Sequence, residues 1–572
     1  MVKRTFASIK NLLLKEQNEI ISAAAMLMVL SLFTKTTGMV FLSLFAREFG
    51  ATAETDIFYM ASVIPETITN IILMGAISGS IIPIFISLKE DKGEKDFIES
   101  FSSTFNLSML FFIFLSLVAG IFAKQLIPIA VDMTQRQEPL TAEQVDQIVS
   151  IMRVLLFPQV ILAVSAFIST TLNIYHRFII PQLAPLFYNI GRIIGVVVLV
   201  PLLDGSIWGL IWGIILGAVL HLVVQLPLMN HLRIKFMYGY IDLKDKYFKQ
   251  VLQLGFPRVL SLSAEQAAVI TDSLIAFGLT IGALSTYQLG VRLISFPLGL
   301  LGTSYAIAAF PSLSKLYAKG AKEEFSQLVV KIINQVLFLA IPLAVIMLVL
   351  RVPIVRLVYG LLDGNFDWND TLQVAWVVMF FSIGLAFETL RSAMFRVYYS
   401  IHNSWVPMVS SIFVVVLGVV TGILFTNYLS HFDSFSLREL SWNLSYFTSK
   451  GEGSAGVGGL ALSSSLVFTL EFFFLLFGLV QLKAITDVRD LVFRISKKLL
   501  AGFTMLVVSY AMAKLWEQIL NTEMTLQLII LTISTVISTF MFYIWTSFVM
   551  NVEEVEVFVG FIARSLKKVF RK

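Results

Sequence analysis

The chain has 572 residues, of which 57% are hydrophobic and 14% charged. Soluble domains carry roughly 25% charged residues, so a soluble core is excluded and lipid is the solvent for most of this chain. There is no cysteine, which removes disulfides, thiolate nucleophiles and Cys-based metal sites; the formal net charge of +5 matters through its placement.

Residues 1–18 are basic and lack a small-residue cleavage site, so they read as a retained N-terminal segment. About fourteen apolar stretches of roughly 20 residues or more follow. They lie near 19–46, 57–88, 98–130, 145–175, 180–201, 206–232, 248–276, 281–314, 323–350, 370–398, 405–427, 455–482, 495–517 and 525–550. The predicted fold class is therefore an all-α polytopic membrane protein. Lys and Arg outside the spans concentrate at the N-terminus, in the even-numbered loops and in the C-terminal tail. That bias predicts both termini in the cytoplasm. The basic clusters Arg233 to Lys249, Arg489 to Lys498 and Arg564 to Lys572 then read as topogenic, lipid-facing charge, with no nucleic-acid partner.

Two halves share a pattern. Phe49-Gly50-Ala51-Thr52 precedes span two, and Phe277-Gly278-Leu279-Thr280 precedes span eight. Pro65, Gly75 and Pro83 punctuate one following span, and Pro297, Gly302 and Pro311 the other. A shift of six spans preserves orientation, so the repeat is parallel, and such lobes hold a substrate site between them. The predicted organisation is an N-lobe over 19–232, a cytoplasmic linker over 233–247 and a C-lobe over 248–482. Two further spans over 483–550 and a basic cytoplasmic tail over 551–572 complete it. The linker's mixture of Lys and Asp suggests a surface amphipathic segment. The outer loop from about Asn427 to Gly459 ends in Gly451-Glu452-Gly453-Ser454, a flexible entry to span twelve.

His176, His221, His231, His402 and His431 show no metal-ligand spacing, and no Gly-x-x-x-x-Gly-Lys-Ser/Thr pattern occurs. No cofactor is expected. Energy would come from an ion gradient, the membrane potential or the substrate gradient.

Charge inside the spans is the functional signal, because a charge at the bilayer centre costs from about 2.5 kcal/mol upward. Arg153, Lys331, Arg391 and Arg396 lie where snorkelling to a span end is the simple reading, while Arg192 in Asn189-Ile190-Gly191-Arg192 is mid-span and ambiguous. Lys35 sits mid-span among Thr34, Thr36, Thr37 and Gly38. Arg258 follows Pro257 near the start of span seven, and Glu265 and Asp272 share a face of that span. Arg292 shares a helix face with Gln288 and Ser295. Two readings stand: internal ion pairs that lock the lobes, or a cationic cavity for an anionic head group in which Arg would grip phosphate best.

Gly255-Phe256-Pro257-Arg258 with Ser261-Leu262-Ser263-Ala264-Glu265-Gln266 resembles the seventh-span motif of the MurJ (MviN) lipid II flippases. So do Arg292-Leu293-Ile294-Ser295-Phe296-Pro297-Leu298-Gly299 and Phe310-Pro311-Ser312-Leu313-Ser314. Thr55-Asp56-Ile57-Phe58, Ile64-Pro65, Gly75-Ala76 and Pro185-Leu186-Phe187-Tyr188-Asn189-Ile190-Gly191 add to the resemblance, as do Trp212-Gly213 and Gln225-Leu226-Pro227, over about residues 20–420. It implies the fold of the MOP exporter superfamily, with two six-span lobes and two final spans forming a groove for the lipid tail. The implied activity is the non-enzymatic movement of a lipid-linked peptidoglycan precursor from the inner to the outer leaflet of a bacterial cytoplasmic membrane. Arg292 matches the cavity arginine of span eight, Asp56 the acid at the start of span two, and Lys35 a position usually held by Arg. Lys35, Arg258 and Arg292 are the implied binding residues; Asp56, Glu265 and Asp272 are the gating or ion-pair residues. The family's other charges fall here on Phe41, Leu42, Thr69, Asn70, Met74 and Ser295, so this cavity is less cationic. The expected partners are lipid II or a related undecaprenyl-pyrophosphate glycan, membrane lipids and cell-wall synthases. Alternative readings are an exporter of another polyprenyl-linked oligosaccharide, a cation-coupled multidrug antiporter using Asp272 or Glu388, and a transporter-like scaffold.

Overall fold

A computed structural model describes residues 20–71, 81–134, 139–430, 455–485, 487–522, 524–556, 558 and 560. The N-terminal segment 1–18, Met74, Gly75, residues 431–454 of the outer loop and 561–572 of the tail lie outside the described residues. The described residues form helices and no strand. Lipid offers a backbone no hydrogen-bond partner, so an apolar stretch of this length closes its own bonds as helix. Eleven helices among the described residues are long and apolar enough to cross a bilayer. The stretches expected as spans one, two and eight are helical in part or whole but do not add to that number.

The chain forms two compact units. The first runs to Ser285 and takes in the loop Leu362–Phe366. Its helices are α1 (Ile20–Phe49), α2 (Ala53–Thr69), α3 (Ile82–Lys92), α4 (Glu94–Ile121), α5 (Ala123–Met133) and α6 (Ala142–Ile174). Then come α7 (Ile179–Ile194, continued by a π turn Gly195–Leu199), α8 (Ile207–Val223) and α9 (Lys246–Gly278). The unit thus extends past the expected N-lobe to include α9, which packs on α2, α3, α4 and α5. Sequence signals start helices where they should. At α6, Thr141 Oγ1 accepts from the Gln144 N–H at 3.2 Å and Gln144 Oε1 accepts from the Thr141 N–H at 3.0 Å, a capping box.

Inside lipid, helices are held by close packing more than by the hydrophobic effect, so small residues mark their contacts. Gly191 and Gly195 of the α7 segment face Gly209, Gly213 and Gly217 of α8. A Cβ on Gly191 would lie 2.2 Å from the Gly217 Cα, and one on Gly213 would lie 2.4 Å from the Gly195 Cα. Elsewhere in the unit, Phe85 meets Phe97 and Phe101, and Phe167 meets Phe101 and Phe105, edge to face.

The linker, expected as a surface amphipathic segment, is not helical. Residues 232–245 are turns and extended chain, laid across the amino-terminal part of α4. Ser102 Oγ accepts from the Met237 N–H at 3.0 Å, and Ser103 Oγ accepts from the Asp242 N–H at 2.8 Å. Asn106 Nδ2 donates to Met237 O and Tyr240 O at 2.8 and 2.9 Å, and Phe236 stacks on Phe101 and Phe105. These α4 side chains satisfy the linker's own backbone, so it has no need of helical bonds. Nearby, Tyr175 donates to Glu94 Oε1 at 3.0 Å, and burial, then that bond, push its phenol above its ordinary value.

The second unit contains α10 (Ala283–Ala318) from Thr286 on, then α11 (Lys322–Val349), α12 (Arg351–Val358), α13 (Trp368–Ser400) and α14 (Trp405–Ser430). It ends with α15 (Gly456–Gln481), α16 (Val488–Ile519) and α17 (Thr525–Val549). Its core gathers Val329, Ile333 and Leu337 of α11, Leu390 and Met394 of α13, Leu475 of α15, Met505 of α16 and Tyr543 of α17. Gly384 of α13 touches Ser465 of α15, and Gly459 of α15 touches Phe425 of α14. The expected last two spans therefore pack on the bundle through α11.

Candidate functional site

Polar side chains within the helices of the first unit converge on α1. Thr36 and Thr37 turn their hydroxyls back to Leu32 O and Thr34 O, both at 2.9 Å, which satisfies them within the helix. Asn189 of α7 reaches across, and its Nδ2 donates to Thr34 O at 3.0 Å and to Thr37 Oγ1 at 3.3 Å. Gly38 makes room, since a Cβ there would sit 3.4 Å from that nitrogen. Lys35 is half-buried between these contacts. One turn along α7, the Arg192 guanidinium lies 4.0 Å from the Phe41 ring centre and 4.6 Å from that of Tyr188. Its Nη2 donates to Asn189 Oδ1. The ambiguous arginine of the sequence is thus a packed interior group.

Thr69 and Asn70, at the end of α2, occupy positions where the resemblance places arginines. Thr69 Oγ1 donates to Gln159 Oε1 of α6 at 2.8 Å, and Asn70 Nδ2 donates to Gln266 Oε1 of α9 at 3.4 Å. Neutral hydrogen bonds therefore stand where charge was expected. Glu265 and Asp272 are half-buried on α9. Arg258 belongs to α9, and its side chain lies outside the described residues.

Asp56 is fully buried in the first turn of α2. Its carboxylate accepts from the Gly282 N–H at 2.7 Å, the Ser285 N–H at 2.8 Å and the Ser285 hydroxyl at 2.6 Å. It caps the amino end of α10 from another helix, where unpaired N–H groups and the helix dipole favour negative charge. Gly282 has φ +82° and a Cβ there would lie 2.2 Å from Ala51 O, so the turn needs glycine. Beside it, Glu54 Oε1 accepts from the Ile207 N–H at 3.0 Å, and Asn365 donates its N–H to Arg47 O at 2.7 Å.

Arg292 lies on α10 in the second unit and is half-buried, as is Gln288 one turn before it. Ser295 turns away and donates to Val291 O at 2.7 Å. Two features were not foreseen. Arg391 does not snorkel: its Nη1 lies 3.6 Å from the carboxylate of fully buried Glu471 on α15, and its guanidinium is 4.9 Å from the Phe468 ring centre. Lys498 of α16 is buried, with its Nζ 3.0 Å from Glu554 Oε2 and 2.7 Å from Asn334 Oδ1 of α11. A lone acid in the Phe-rich α15 is the sequence signal that could have found the first, whereas Lys498, expected with the lipid-facing cluster Arg489 to Lys498, is instead buried.

Among the described residues, eleven helices able to cross a bilayer, with cations set among apolar helices, define a polytopic membrane protein. The fold is similar to that of an inward-facing multidrug resistance MATE family transporter of the MOP superfamily, with TM-score 0.61 and 12% identity, covering 80% of this chain and 96% of that one. It is also similar to a lipid II flippase MurJ in an inward closed conformation, with TM-score 0.67 and 21% identity, covering 90% of this chain and 97% of that one. In sequence, the probable lipid II flippase MurJ of Buchnera aphidicola subsp. Acyrthosiphon pisum is 27% identical over 417 residues, which are 72% of this chain and 80% of that protein. The family model described as lipid II flippase MurJ matches residues 45–437. The chain belongs to the lipid II flippase MurJ family.

Proposed function

We propose that this protein carries lipid II from the inner to the outer leaflet of a bacterial cytoplasmic membrane by alternating access, with both termini in the cytoplasm. The family match over residues 45–437 carries this reading. Charge retained inside apolar helices supports it, because such charge persists where it meets a charged substrate. Lys35, Arg258 and Arg292 are assigned to the pyrophosphate. Asp56 supports the external gate through the turn it caps, and Glu265 and Asp272 offset the cations when substrate is absent. The membrane potential or an ion gradient drives the cycle, and cell-wall synthases take the product.

The test is leaflet-resolved accessibility of lipid II in cells whose own flippase is depleted and replaced by this chain. Wild type should restore outer-leaflet lipid II and growth. Arg292→Ala should abolish both while the protein remains folded and inserted. Full growth of the double variant Lys35→Ala, Arg292→Ala would refute the binding assignment.

A further inference from the structure

Arg192 lies about ten residues, or roughly 15 Å, from the nearer end of its span, Ile179–Leu202. An arginine side chain cannot cover that distance to water, so this charge must face the protein interior. The structure shows where it goes. Its guanidinium lies over the buried ring of Phe41 on α1 and near the ring of Tyr188, and it holds Asn189 Oδ1. Asn189 in turn grips Thr34 and Thr37, the residues that bracket Lys35. One amide, that of Asn189, thus links Arg192 on α7 to the turn of α1 that carries Lys35.

We infer that Arg192 is a substrate-binding residue, which with Lys35 receives the diphosphate of a polyprenyl-linked substrate. The inference rests on the function proposed above and names a residue of the same site. Stacking uses the face of the guanidinium, whereas phosphate recognition uses its N–H edge, of which Nη2 also donates to Asn189 Oδ1. A doubly charged anion is attracted by each cation, and the low dielectric of a membrane interior strengthens that attraction. Phe41 and Tyr188 fix the fork in advance, which lowers the entropy lost on binding.

The test measures binding of lipid II and of undecaprenyl pyrophosphate to the purified full chain in nanodiscs, with thermal unfolding as the check on folding. Arg192→Gln should weaken binding of both lipids by about tenfold or more, the usual range for a lost hydrogen bond to a charged group. The exchange Phe41→Arg, Arg192→Phe puts the guanidinium on the other side of the same ring contact and should recover affinity to within a few-fold. Unchanged binding by folded Arg192→Gln would overturn the inference alone. Loss in Arg192→Gln without recovery in the exchange would also overturn it, because that pattern belongs to a packing role. A measurement on the unmutated chain is independent of variant folding: a photoreactive undecaprenyl pyrophosphate should crosslink to segment 179–202, and crosslinking confined to other segments would overturn the assignment. Failure of wild type to bind either lipid would refute the proposed function, and the inference with it.

Discussion

Asp56→Ala is the sharpest probe of how the first unit is held. The carboxylate is fully buried and takes two backbone N–H groups and one hydroxyl at 2.6 to 2.8 Å. Alanine leaves both N–H groups buried without that acceptor, at about 1–3 kcal/mol each. The loss of a negative charge at a helix amino end adds roughly 0.3–1 kcal/mol. A local destabilisation of about 2–7 kcal/mol follows, or at least some 30-fold in the opening equilibrium. Amide hydrogen exchange of the peptide covering 279–290, in nanodiscs, reads this directly. Asp56→Ala should speed it by that factor or more. Asp56→Asn, which keeps one acceptor oxygen and loses the charge, should fall between Ala and wild type. Equal exchange in Asp56→Ala and wild type would refute the capping argument. Loss of transport with that exchange unchanged would give Asp56 a direct role in gating instead.

Gly213→Leu should cost more than about 3 kcal/mol, because its side chain must occupy space held by the Gly195 backbone; the monodisperse fraction of purified protein should fall sharply, and Gly418→Leu, where the added Cβ meets nothing within 4 Å, serves as the tolerant control. Lys498→Met should lower the thermal unfolding midpoint by the equivalent of about 3–5 kcal/mol, since it leaves Glu554 largely buried without its ion pair. Adding Glu554→Leu should recover most of that loss, and a double-mutant cycle of unfolding midpoints measures the coupling.

Much of the architecture was legible in the residues. Long apolar runs became helices, and the family resemblance over about residues 20–420 met a family match over residues 45–437. Lys35 and Arg292 stood out because a charge in an apolar run has no local excuse. Asp56 was marked as important, but its partners lie more than 220 residues away, so capping of a distant helix could not be read from its position. Arg391 was read as snorkelling because its partner Glu471 sits on another helix, 80 residues on. The linker's mixture of Lys and Asp suggested a surface segment, but it could not show that Ser102, Ser103 and Asn106 of α4 bond its backbone.

What the sequence determined by itself is the solvent, and with it the secondary structure. A backbone in lipid must close its own hydrogen bonds, and composition alone says which segments are in lipid. What only the tertiary structure decided is which side chains meet. That depends on the rotation and depth of each helix against its neighbours, set by contacts such as Gly213 on Gly195 and Asn189 on Thr34. Those contacts turned Arg192 from an ambiguous mid-span charge into a guanidinium resting on Phe41 and bonded to Asn189.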